Sequence, residues 1–331
     1  MKAIAQKFNA TFGADMTGPA IAFLAVMVIF GLAANNFISS ATFGSVAFQL
    51  PELGLLTLAM LLPLLTGGIN LSVTFTANLS GLAAAWVMQI YGGVDASPSA
   101  FLLGVLAALA TGGAAGLMTG AAIAYTRAHP ILVTLSMMIF LRGLGEFLTR
   151  GGDVSGFPSF IAPIGHGQLF GFPIPLLIFV ICVGLWQLLL TRFKLGFGLL
   201  MIGSNIEAAQ YSGMNTRRIL VLVYTLSGLM CAVAGVIMLA RFNSVRVGHG
   251  ESYLLITVLA AFLGGIDPFG GFGRVLPVFV ALIVLQLLSS GLNLMGANQH
   301  LATALWGVLM IVVMAARTIV SAYLASRRKK G

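Results

Sequence analysis

The sequence predicts an all-α, polytopic membrane protein of about ten transmembrane helices. Three observations carry that expectation. Hydrophobic residues fill 59% of 331 positions and charged residues only 8%, whereas a soluble domain carries roughly 25% charge. Apolar windows long enough to cross about 30 Å of hydrocarbon recur along the chain. The basic residues collect in alternate connections, the pattern that orients a membrane protein. A soluble fold cannot hide so much apolar surface. The net charge of +9 sits in short loops and at the C-terminus rather than along a groove, so membrane lipid is an expected partner and nucleic acid is not.

Read in order, residues 1–331 are expected to form a single transmembrane domain. A cytoplasmic N-terminus, 1–17, holds Lys2, Lys7 and Asp15, and the first window, 18–37, reads as a signal anchor. Further windows follow at 45–65, 71–91, 98–124, 130–149, 173–192, 218–240, 252–266, 275–295 and 299–320. The eighth is short enough to be re-entrant or tilted. An even number puts both termini in the cytoplasm. The inner side then holds Lys2, Lys7, Arg127, Arg192, Lys194, Arg217, Arg218, Arg274 and the basic tail (322–331) with Arg327, Arg328, Lys329 and Lys330. The outer side holds only Arg150, Arg241 and Arg246. This bias favours an even count. It makes 193–217 the large cytoplasmic loop and 150–172 the large periplasmic one.

In the fourth window Gly104, Ala108, Gly112, Gly116, Gly120 and Ala124 recur at every fourth position. Such a stripe lets helix backbones approach closely in lipid, where association gains nothing from the hydrophobic effect. It reads as a packing seam before a conduit lining. The third window opens on Gly67-Gly68, a helix break, and then carries Asn70, Thr74 and Asn78 at helical spacing. These uncharged hydrogen-bonding groups suit interhelical contacts, and they are candidates for lining a path for a hydroxylated solute. Arg142 and Glu146, four apart, can pair near the end of the fifth window. Glu52 falls near the outer end of its window. No intramembrane carboxylate is placed as a proton relay, so an ion-coupled secondary carrier is a weaker alternative. The histidines are scattered, Cys182 and Cys231 lie in apolar runs, and no metal or catalytic constellation is expected.

An importer without coupling carboxylates needs another engine, and the chain has no GxxxxGK[ST] phosphate loop. The inner segment "GSNIEAAQYSGMNTRR" (Gly203–Arg218) offers a stiff element on which a partner could push. Glu207, Ala208 and Ala209 favour helix, and Gly213 can end it.

This Glu-Ala-Ala…Gly pattern resembles the coupling-helix motif of permease subunits in bacterial ATP-binding-cassette importers. Its surroundings resemble the ribose-type monosaccharide permease family: "LTGGINLSV" (Leu65–Val73), "VTLSMMIFLRGLGEFLTRGG" (Val133–Gly152) and "LGGIDPFGGFGRV" (Leu263–Val275) occur in that family's order. Asn70 stands where the family has Asp, and Leu276–Leu282 lacks its usual glycines, departures that suit one half of a heteromeric pair. The resemblance implies a type II importer-like permease of the bacterial inner membrane that pairs with a second copy or a paralogue. It implies a cytoplasmic ATPase subunit that binds ATP and Mg, and a periplasmic solute-binding protein. This chain would bind no cofactor and catalyse nothing. The coupling role falls on Glu207, Ala208, Ala209 and Gly213. A monosaccharide or related polyol is the implied solute, and a branched-chain amino acid is the alternative within the same superfamily.

Overall fold

Local turn chemistry sets most of the helix boundaries. The Ser39 hydroxyl accepts from the Thr42 amide at 3.2 Å, Ser97 accepts from Ala100, and Asn215 accepts from Arg218 at 3.0 Å. Each satisfies an amide that a helix start leaves unpaired. Pro98, Pro130 and Pro175 occupy first turns, where the missing N–H costs nothing.

A computed structural model describes residues 16–328. Of the expected terminal segments, 1–15 and 329–331 lie outside the described residues, as do the side chains of Gln299 and 316–328. The helices are α1 (Thr17–Ala33), α2 (Ser40–Leu65), α3 (Val73–Ile90), α4 (Pro98–Thr126), α5 (Pro130–Thr149), α6 (Ala162–His166), α7 (Ile174–Arg192), α8 (Lys194–Ser204), α9 (Ile206–Tyr211), α10 (Thr216–Phe242), α11 (Tyr253–Leu263), α12 (Val275–Leu294) and α13 (Gln299–Arg328). Seven of the described helices, α2–α5, α7, α10 and α12, are long and apolar enough to cross a membrane. The fold is all-α and polytopic.

The bundle is built around α2 and α10. In α2, 89% of the apolar window is buried; in α5 only 17% is, so α2 is central and α5 lies on the flank. The Trp186 indole of α7 donates to the Leu58 carbonyl of α2 at 3.0 Å. Helix α4 lies against α10 through its small residues. A β-carbon at Gly112 would collide with the Gly228 carbonyl, and one at Gly116 with the Tyr224 carbonyl. Gly120 faces Val221 in the same way, while Gly104 meets Ala84 of α3 and Ala108 is fully buried.

Several boundaries differ from the windows read off the sequence. Helix α2 starts at Ser40, five residues before the window, because Ser39 caps it there. Glu52 therefore sits midway along α2 rather than near its outer end. Its carboxylate is buried and lies 2.9 Å from Arg241 in the last turn of α10. Helix α3 starts at Val73, so Asn70 belongs to the preceding turn and not to the helical face. The eighth window contains only α11, whose 11 residues span about 16 Å. A glycine-rich return, 264–274, completes it. The segment 193–217 is two helices, α8 and α9, rather than a loop around one. Residues 150–172 are tied down by β1 (Val154–Ser155), β2 (Gln168–Leu169), β3 (Phe172–Pro173) and β4 (Ser244–Val245): β1 pairs with β4 and β2 with β3, both antiparallel.

Candidate translocation cavity and coupling helix

The end of the bundle bearing Arg192, Lys194, Arg217 and Arg218 carries α9. Asn205 starts this helix, its Oδ1 accepting from the Ala208 amide at 2.9 Å. Glu207 stands in the first turn, where a negative charge complements the helix dipole. Gly213, at φ +78°, ends it with a left-handed turn. In that turn the Gly213 amide bonds the Gln210 carbonyl and the Met214 amide bonds the Ala209 carbonyl. Ala209 is fully buried and holds α9 down. Glu207, Ala208 and Gln210 are exposed, and Tyr211 is 92% exposed. A helix this short cannot hold itself in water; its caps and Ala209 fix it as a stiff exposed platform.

The base of α9 rests on a backbone junction. The Gly271 amide donates to the Leu65 carbonyl at 2.9 Å, joining the return after α11 to the end of α2. Gly203, at the end of α8, closes against both: a β-carbon there would strike the Leu65 carbonyl and the Gly271 amide. Helices α2 and α11 end in the same manner. The Gly68 amide reaches back to Pro63 and the Ile266 amide to Ala261, with Gly67 and Gly265 in the left-handed region. Helix α9 is thereby joined through α8 to the broken ends of two helices.

Asn70, Thr74 and Asn78 are all buried inside the subunit. Asn70 Nδ2 donates to Ser227 Oγ at 3.0 Å, and its Oδ1 accepts from the Ser72 hydroxyl at 2.8 Å. Asn78 Nδ2 donates to the Val247 carbonyl and, at 2.9 Å, to that of His249. The Thr74 hydroxyl between them has no hydrogen-bond partner. Asn70 thus ties the turn before α3 to α10, and Asn78 ties α3 to the connection beyond α10. None of the three lines either cavity described below.

A different set of polar groups lines open space. At the end opposite α9, a cavity of about 450 Å³ lies between α2, α11, α12 and α13. Helix α2 contributes Thr42, Ser45 and Gln49; α12 contributes Gln286, Ser289 and Asn293. Both sets repeat at three- and four-residue spacing, which places each on one helix face. Gln286 Nε2 donates to Gln49 Oε1 at 2.9 Å across the gap. Tyr253 and Trp306 add aromatic faces. The Tyr253 hydroxyl donates to Glu52 at 3.4 Å, and Arg241 also donates to the Phe48 carbonyl at 2.8 Å. The ion pair is occupied within the protein, and among the described residues no Asp, Glu, Lys, Arg or His lines the cavity. Two facing polar stripes are costly in a bilayer unless they meet water or solute. The i, i+3, i+7 spacing of Thr42, Ser45 and Gln49 was the available sequence signal. Each of these residues alone is ordinary in a membrane helix, so the stripe stands out only once its facing partner is known.

On the α5 flank, Arg142 Nε lies 2.9 Å from Glu146 and Nη1 lies 3.1 Å from Glu251, all three about half exposed. Phe147 beside them is 79% exposed.

A family model described as "Branched-chain amino acid transport system / permease component" matches residues 42–314. Among curated proteins, the chain is 31% identical over 273 residues to the autoinducer 2 import system permease protein LsrD of Yersinia enterocolitica, covering 81% of this chain and 80% of that one. It is 29% identical over 314 residues to the LsrD proteins of Yersinia pseudotuberculosis and Yersinia pestis, covering 93% of this chain and 92% of each relative. No solved structure matches.

Proposed function

Because the chain belongs to the permease family of the branched-chain amino acid transport system type, and is a multi-pass inner-membrane import permease, we propose that it carries a neutral, polyhydroxylated solute of monosaccharide size, driven by a separate ATPase. The observation that carries this reading is the uncharged lining of the cavity between α2, α11, α12 and α13. A branched-chain amino acid is a zwitterion. Stripping its carboxylate and ammonium of water costs several kcal/mol per ion unless each meets an opposite charge, and this cavity offers none. Amides, hydroxyls and the Trp306 face suit a sugar-like ring, whose hydroxyls need donors and acceptors and whose C–H face packs on an aromatic. Autoinducer 2, the cargo in the relatives' names, is the first solute to test.

The working cycle follows. A solute-binding protein delivers cargo at the cavity end, touching 150–172. The ATPase, which binds ATP and Mg, grips the exposed face of α9 through Glu207, Ala208 and Tyr211. Its closure moves α9, α8 and the Leu65–Gly271 junction together. Each partner drives the cycle only through its differential affinity for the two states. A second permease, a copy or a paralogue, covers the α5 flank. The half-exposed Arg142–Glu146–Glu251 cluster lies toward the end of α5, where its charges can meet a protein neighbour or interfacial water.

The test is reconstitution with the partner ATPase and solute-binding protein. Autoinducer 2 or a pentose should stimulate ATP turnover and uptake where leucine does not. Gln286→Leu should cut uptake at least tenfold while leaving assembly intact. Stimulation by leucine alone would replace the sugar-like solute with an amino acid.

A further inference from the structure

Beside α9 lies a second cavity, of about 720 Å³, between the last turn of α7, helix α8 and the start of α10. Its inner walls are apolar: Leu190, Phe197, Ile219 and Leu222. Its mouth carries Arg192, Lys194 and Arg218, and among the described residues no acidic side chain lines it. None of these cations forms an ion pair among the described residues.

The order of these groups along the membrane normal is informative. Arg192 is the last residue of α7, and Arg218 is the third of α10. Leu222 lies one turn further into α10, about 6 Å deeper. Cations therefore stand where the chain leaves the bilayer, and apolar walls stand where acyl chains begin. Phe193 and Phe197, 58% and 60% exposed, extend the apolar surface at the same level. A cytosolic protein could reach Leu222 only by parting the headgroups, whereas a lipid already spans both layers. Basic clefts between membrane helices on the cytoplasmic side match anionic headgroups.

We propose that this cleft holds an anionic phospholipid of the inner leaflet, its headgroup on Arg192, Lys194 and Arg218 and its acyl chain along Ile219 and Leu222. Met214 and Asn215 also line the cleft. The Met214 amide bonds Ala209 of α9 at 3.2 Å, and Asn215 caps α10. The lipid thus braces the hinge between α9 and the membrane. The proposal stands whatever the solute.

The experiment titrates the purified full chain in detergent with phosphatidylglycerol, followed by native mass spectrometry. Phosphatidylcholine is the uncharged control and inorganic phosphate is the headgroup charge alone. One phosphatidylglycerol should bind saturably per chain. The triple variant R192Q/K194Q/R218Q should bind roughly a hundredfold more weakly, at about fivefold per cation. R217Q removes the same charge at the same depth, but Arg217 faces the Tyr125 ring at 5.8 Å, so it should retain binding. R192K/R218K, which keeps the charge and the fold, should retain it too. Equal binding of phosphatidylcholine, unchanged binding by the triple variant, or full displacement by inorganic phosphate would each overturn the lipid site. So would photocrosslinking from position 197 to the ATPase instead of lipid in the assembled importer.

Discussion

Glu52 shows how one side chain constrains the reading of a site. It is 2% exposed, in a leucine-rich helix, and is tolerated because Arg241 meets it at 2.9 Å and Tyr253 adds a hydrogen bond. Removing one member of a buried pair leaves the other charge uncompensated, at a cost of about 3–5 kcal/mol. Glu52→Ala should therefore lower the thermal unfolding midpoint of the detergent-purified chain. Replacing both partners, as in Glu52→Gln with Arg241→Met, should recover most of the loss. If the single variant were as stable as the parent, the pair would be idle. The sequence placed neither partner here. From the sequence alone Glu52 falls near the outer end of an apolar window and Arg241 on the outer side, and nothing local marks that the two face each other.

Among the elements, α4 shows what a small-residue stripe does in three dimensions. Gly112 and Gly116 bring its backbone against the carbonyls of Gly228 and Tyr224 in α10, a contact that any side chain would wedge open. Overpacking ordinarily costs about 1–3 kcal/mol, and here the obstruction is backbone that cannot rotate away. Gly116→Leu should abolish the monodisperse peak in size-exclusion chromatography. Gly184→Leu in α7, where a β-carbon meets nothing within 4 Å, should leave it intact. Equal behaviour of the two would detach the stripe from packing. The four-residue period is visible in the sequence because it is local. The partner helix is not, since lipid-facing and protein-facing glycines look alike one residue at a time.

For the whole molecule, the distribution of exposed charge matters most. The α5 flank exposes Phe147 at 79% beside the Arg142 cluster, whereas the middle of α7 exposes apolar side chains, Val180, Ile181, Leu185 and Leu188, with Ile181 62% exposed. The first surface needs a protein neighbour or water; the second is content in lipid. Phe147→Cys, with a cysteine introduced at the matching position where the second permease is a paralogue, should form an oxidised cross-link in membranes of the assembled importer, while the same pairing of Ile181→Cys should not. Cross-linking at 181 alone would move the interface to α7. The polar cavity belongs to this scale too. Its residues come from α2, α11, α12 and α13, far apart in the chain, and only the closure of the bundle gathers Gln49, Tyr253 and Gln286 around one space.

What the sequence determined by itself was whatever depends on local pattern and solvent. Low charge and long apolar windows demand a bilayer, and the capping and Glu-Ala-Ala-type motif of 203–218 makes a short helix at the basic end. The tertiary structure decided which polar groups meet one another and which meet open space. It committed Asn70 and Asn78 to interior hydrogen bonds, joined Glu52 to Arg241, and left Ser45, Ser289 and Asn293 around a cavity. The physical reason is that a buried polar group in a membrane protein is defined by its partner. A partner on another helix is set by packing, which no local period encodes.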